Sequence, residues 1–81
     1  PATTDAYGWA LYQQGKSALA LQLLEKAASI APEKSELRWH LGQAYADLDR
    51  DAEARTQIRA ALADPGFEDR AAALAALKVL G

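Results

Sequence analysis

Cysteine, methionine and asparagine are absent from the 81 residues, and histidine occurs once, at His40. Without cysteine there is no disulfide and no thiolate metal site, and the redox compartment cannot be read. One imidazole, with no Cys and no second His, falls short of the ligand sets that hold zinc. Strand formers are scarce as well: Val, Ile and Thr total six, against 32 Ala and Leu. Helix formers dominate so strongly that the chain is predicted to be all-α. No apolar run approaches the roughly 20 residues needed to cross a bilayer. The net charge is −2 with both signs scattered, which leaves no basic stripe for nucleic acid. No signal peptide is visible, and without an initiator Met the chain reads as a piece of a longer or processed protein. Its length suits one small domain with a marginal core.

What is present is a repeat. Shifted by 34 residues, Gly8 falls on Gly42, Leu11 on Tyr45, Leu24 on Ile58 and Lys16 on Arg50, with Ala20 on Ala54 and Ala27 on Ala61. Each unit reads as helix, tight turn, helix. Helices are expected over about 4–14, 17–30, 35–46, 51–63 and 68–80, with Ser17 and Asp51 as N-cap residues. Pro32 and Pro65 enforce stops. Gly inside a helix is unfavourable by about 1 kcal/mol relative to Ala, so Gly8 and Gly42 need a reason. Small residues on both helices of a pair allow close approach, with Tyr7, Leu11, Leu24, Leu41, Tyr45 and Ile58 filling the space around them.

In this spacing, Gly8, Leu11, Ala20, Leu24, Ala27 and Pro32 in the first unit resemble the tetratricopeptide repeat family. Leu41, Gly42, Tyr45, Ala54, Ile58 and Ala61 do so in the second. The likeness covers residues 1–66. Two departures stand out: Thr4 and Arg38 hold the place where the family favours Trp, and the second unit closes one residue early. The resemblance implies an α-α superhelix with repeats at 1–34 and 35–66, then a terminal helix at 67–81 that begins a third unit, Ala76 standing where Gly8 and Gly42 stood. More narrowly, "DAYGWALYQQGK" and "LRWHLGQAYADLDRDAEAR" are similar to C-terminal repeats of bacterial envelope proteins that serve exopolysaccharide and exosortase (PEP-CTERM) systems. That likeness implies a periplasmic or envelope setting.

Sites of chemistry are few. Ala10-x4-Gly15-Lys16-Ser17 approaches a phosphate-binding loop, but such a loop needs a strand before it, and helix precedes Gly15. Asp47, Asp49 and Asp51 open like a calcium loop, yet Ala52 and Ile58 occupy the places of its Gly and Glu. No catalytic triad, cofactor or metal site is expected, and the chain is read as non-enzymatic. The family resemblance implies instead a concave surface made by the first helix of each unit, holding a protein or peptide partner. By position it carries Asp5, Trp9, Tyr12 and Gln13, then Glu36, Trp39, His40, Gln43 and Asp47. Independently of family, residues 5, 9 and 12 share one helix face, as do 36, 39 and 43. Trp9, Tyr12 and Trp39 are thus candidates for an aromatic patch, with packing between helices as the alternative use of the Trp residues. The absence of Asn and the acidic and aromatic residues here argue against a clamp for a C-terminal carboxylate.

The last helix, "AAALAALKVLG", carries one charge, Lys78. Ala75, Ala76 and Val79 are predicted to face inward. A helix apolar on most sides expects burial on more than one of them. Self-association through Leu74, Leu77, Val79 and Leu80, as a two-fold homodimer, is the resulting expectation. The rival to partner binding is therefore a structural role, as the stacking and self-associating end of a longer array.

Overall fold

The computed structural model describes residues 2–81, with side chains from Gly8 onward. The described residues form five helices and no strand: α1 (Ala2–Gln13), α2 (Ser17–Ile30), α3 (Ser35–Asp47), α4 (Asp51–Leu62) and α5 (Arg70–Leu80). The all-α reading holds. All five expected helices fall within two residues of their observed bounds. α4 stops at Leu62, because Asp64 precedes Pro65 and a residue before proline avoids the helical region.

The α1–α2 and α3–α4 turns are the same structure, 34 residues apart. Gly15 and Asp49 both take left-handed backbone, at φ 80° and 61°. Lys16 N–H then donates to Leu11 C=O at 2.9 Å, and Arg50 N–H to Tyr45 C=O at 2.9 Å. Gly15 N–H reaches Tyr12 C=O, and Asp49 N–H reaches Ala46 C=O. This is the Schellman arrangement, which satisfies the last carbonyls of a helix when one residue adopts positive φ. Gly15 is therefore a helix terminator, and no strand precedes it to build a phosphate loop.

The turn also corrects the expected caps. Lys16 and Arg50 close one helix and serve as N-cap of the next, with no side-chain capping bond. Ser17 and Asp51 are the first helical residues instead. The Ser17 hydroxyl donates across the bundle to Asp47 Oδ2, tying the start of α2 to the end of α3.

Gly8 and Gly42 have the role the repeat suggests. A Cβ on Gly42 would lie 2.7 Å from Ile58 Cγ1, and one on Gly8 would lie 3.2 Å from Leu23 Cβ. In each pair a side chain of the second helix thus presses into the space that a Cβ on the glycine would occupy. Leu24 and Ile58, one repeat apart, are the largest fully buried side chains, among Ala20, Ala27, Ala54 and Ala61 at 0% exposure. Between the pairs, Tyr45 Oη donates to Glu25 at 2.7 Å, and within the second pair Arg38 Nη1 donates to Gln57 at 3.0 Å.

The α4–α5 connection departs from the repeat. It runs over 63–69, whereas α2 and α3 are joined by 31–34. Phe67, 3% exposed, turns its ring edge to Trp39 at 6.3 Å. Arg70 Nη1 holds the carbonyls of Leu62 and Asp64. Ser35 Oγ donates to Asp64 Oδ2 at 2.8 Å, binding the start of α3 to this linker. The longer linker sets α5 down in a different register from the one expected. Ala73 is its fully buried small residue, while Ala76 is half-buried. Ala76, Leu77 and Leu80 pack against the cluster of Trp39, Ile58, Ala61 and Phe67.

Two expectations for α5 are corrected by this docking. Ala75 and Val79 do not face inward; Ala75 is exposed and Val79 is 87% exposed. Leu77 and Leu80, expected on a self-associating surface, spend much of theirs on the core within the chain. Leu74 and Val79 are left outside.

Candidate functional site

Trp9 sits half-buried near the end of α1, with its indole stacked on Tyr12 at 4.8 Å and on His40 of α3 at 4.0 Å. Both neighbouring rings lie within 11° of parallel to it. Such stacked pairs contribute about 0.5–1.5 kcal/mol beyond their buried area. The stack fixes α1 against α3 and holds the Tyr12 ring in place.

Trp39 goes elsewhere. It is 7% exposed and belongs to the cluster around Ile58 and Phe67. The expected patch of Trp9, Tyr12 and Trp39 is therefore replaced by a stack of Trp9, Tyr12 and His40, with Trp39 packed between helices. Consecutive helical residues diverge by about 100°, so His40 and Trp39 cannot share a face. One edge of Trp39 still reaches a neighbouring cleft.

That cleft, of about 340 Å³, is the candidate site. Its walls are the C-terminal halves of three helices. α1 gives Tyr12; α3 gives Gln43, Ala46 and Asp47; α5 gives Ala76, Val79 and Leu80. Trp39 and Ile58 form the floor. The volume is at the small end of ligand-binding clefts, about 300–1,000 Å³, and suits one or two side chains of a partner.

The polar groups are concentrated between α1 and α3. Gln43 Oε1 is buried with no hydrogen-bond donor among the described residues. Among the described residues Asp47 is the only charged one in the lining, with Oδ2 taken by Ser17. The Tyr12 hydroxyl is pushed above its ordinary pKa, first by burial and then by the Asp47 carboxylate. The phenol is therefore a neutral donor and acceptor at physiological pH.

The remaining sequence candidates are dispersed. Gln13 is exposed outside the cleft. Glu36 lies with Glu33, Lys34 and Asp64 at the opposite end of α3. The side chain of Asp5 lies outside the described residues. Conversely, Ala46, Ile58 and Ala76 line the cleft without having been read as site residues, and Val79 and Leu80, read for self-association, line it as well. Helical spacing from Trp39 through 43 and 46 points to Ala46. Nothing in the sequence marks Val79, since its position depends on how α5 docks.

Asp47 is engaged with Ser17, Asp49 occupies the turn, and Asp51 opens α4. Among the described residues no three His, Asp or Glu side chains gather where a metal could sit. No described helix is long and apolar enough to cross a membrane.

No curated protein and no solved structure matches the chain. A sequence profile does: that of the Tetratricopeptide repeat matches residues 11–77, most of the 81. The match spans α2, α3 and α4, the common turn at Gly15 and Asp49, and the close approach at Gly42. The chain belongs to the tetratricopeptide repeat family.

Proposed function

We propose that this chain is a non-enzymatic interaction module whose cleft between α1, α3 and α5 takes a side chain of an extended partner segment. Tetratricopeptide repeats generally mediate protein–protein interaction, and the family is in general non-enzymatic. The observation that carries the reading is the cleft itself. Three alternate helices contribute one edge each, and its apolar walls enclose an acceptor without a donor among the described residues. Trp9 and His40 support the rim by holding Tyr12.

The test is selection of binders from a random peptide library, followed by affinity measurement on Tyr12→Ser and Val79→Ser variants. Val79 is exposed and Tyr12 is half-buried at the edge of the core, so circular dichroism is read alongside to confirm that both variants keep their helicity. Affinity should fall at least about tenfold, as when a hot-spot side chain is truncated. Binders indifferent to both changes would place the interaction elsewhere.

A second reading rests on the exposed apolar side chains of α5, Leu74 at 55% and Val79 at 87%. It makes the chain the stacking end of a longer array that forms homodimers through this helix. Sedimentation equilibrium near 100 µM detects such pairs at about −5 to −6 kcal/mol, and a monomer mass there rejects them. An envelope setting rests on the two sequence stretches at 5–16 and 37–55, and periplasmic fractionation of the producing cells tests it.

A further inference from the structure

From the electrostatics of the cleft we infer that its occupant is a segment pairing an Arg or Lys with an adjacent apolar side chain, the cation lying between α1 and α3 and the apolar group against α5. The inference rests on the cleft being the partner site and specifies what that site selects.

Charge is distributed unevenly along the cleft. Tyr12, Gln43 and Asp47 belong to the C-terminal halves of α1 and α3. A helix C-terminus carries about half a negative charge, and a carboxylate placed there adds to it. Helices commonly offset this field with Lys or Arg in the last turn, but α1 and α3 have none there; Lys16 and Arg50 follow in the turns beyond, Arg50 paired with Glu53 and Lys16 outside the cleft lining. Asp47 is the last residue of α3, with Asp49 just beyond in the turn. The Ser17 hydroxyl contacts Asp47 but brings no charge. Gln43 Oε1, an acceptor without a donor, completes a negative pole.

The α5 side has the opposite character. Ala76, Val79 and Leu80 are apolar, and the carbonyl of Leu80 is already held by Arg55 Nη1 at 3.3 Å. Lys78, in the last turn of α5, lies outside the lining. A guanidinium or ammonium at the first pole supplies N–H donors to Gln43 and Asp47, and its alkyl stem covers Trp39 and Ala46. The neighbouring apolar side chain then covers Val79. An acidic segment would meet two helix C-termini and a carboxylate, which disfavours it.

Four labelled octapeptides, N-acetylated and C-amidated so that no terminal charge intervenes, test this by fluorescence anisotropy. The first carries Leu-Arg at its centre. The others replace Arg with Gln, Arg with Glu, or Leu with Ser. The Leu-Arg peptide should bind about tenfold tighter than its Leu-Gln counterpart, as expected for a charge-assisted hydrogen bond at a partly exposed site. That advantage should shrink with added salt and vanish in Asp47→Asn, which keeps an acceptor for Ser17. The Ser-Arg peptide should bind weakly.

If Leu-Gln or Leu-Glu binds as tightly as Leu-Arg, and Val79→Ser still weakens it, the cation preference is wrong while the cleft remains the partner site. If Leu-Arg binds but ignores both Asp47→Asn and Val79→Ser, both the preference and the cleft reading fail. If no member of the panel binds, the preference is overturned, and the library selection decides the cleft independently.

Discussion

Replacing Gly42 with Ala sets two effects of known size against each other. Helix propensity alone favours Ala by about 1 kcal/mol. Packing opposes it, because the new Cβ would stand 2.7 Å from Ile58 Cγ1 and 3.3 Å from the Ala54 carbonyl oxygen. Carbon atoms are comfortable at about 3.5–4.0 Å, so the first contact is short by roughly 1 Å. Ile58 is 1% exposed and branched at Cβ, so it has little freedom to turn aside. Either it leaves its rotamer or α3 and α4 separate. Overpacking of this kind costs about 1–3 kcal/mol, and a contact this short belongs to the upper half of that range. Net destabilisation of about 1–2 kcal/mol follows once propensity is subtracted. For a domain of this size that lowers Tm by roughly 5–15 °C, read from thermal unfolding by circular dichroism. Two companion variants isolate the cause. Gly8→Ala should be close to neutral, since its nearest neighbours are at 3.2 and 3.3 Å and the propensity gain offsets a smaller clash. In an Ile58→Ala background, Gly42→Ala should lose most of its cost, giving a coupling of about 1–3 kcal/mol in the double-mutant cycle. A Gly42→Ala protein with a raised Tm would refute the close-approach argument.

The turn residues and one tyrosine supply two further tests. Asp49 takes the left-handed conformation that Gly15 takes one repeat earlier, so Asp49→Gly should stabilise by up to about 1 kcal/mol and Gly15→Ala should destabilise by about 1 kcal/mol. Denaturant midpoints measure both, and loss of stability in Asp49→Gly would contradict the shared turn. Burial, and then its hydrogen bond to Glu25, pushes the Tyr45 phenol up to about 12. Because the native state raises this pKa, the contribution is complete below the unfolded value near ~10 and is lost as pH rises through about 12. Phenolate absorbance should show a late step near that pH, absent in Tyr45→Phe. Ionisation of all three tyrosines together near ~10, with the helices intact, would go against it.

The sequence alone determined the helical class, the 34-residue repeat and the small-residue contacts, because all three follow from local propensity and from spacing along one helix. Gly8, Gly42, Leu24 and Ile58 could be assigned to the interior of their pairs by register, since a repeated unit must bury the same face twice. Tyr12, Trp39, Gln43 and Asp47 could likewise be placed on first helices, and all four reach the cleft. The tertiary structure decided how those faces divide. Whether a Trp stacks at the rim or sinks into the core depends on a rotation of about 100° per residue combined with the neighbour it meets. Trp9 meets His40 and stays at the rim, while Trp39 meets Phe67 and is buried. The last helix shows the limit most clearly. Its apolar composition fits many orientations, and Ala, Leu and Val alternate around it without a preferred side. The linker at 63–69, fixed by Phe67, Arg70 and the Asp64–Ser35 bond, turned Ala73 inward and Val79 outward. Composition says only that such a helix is apolar. Docking chooses its inner face, because that choice is made by groups distant in sequence.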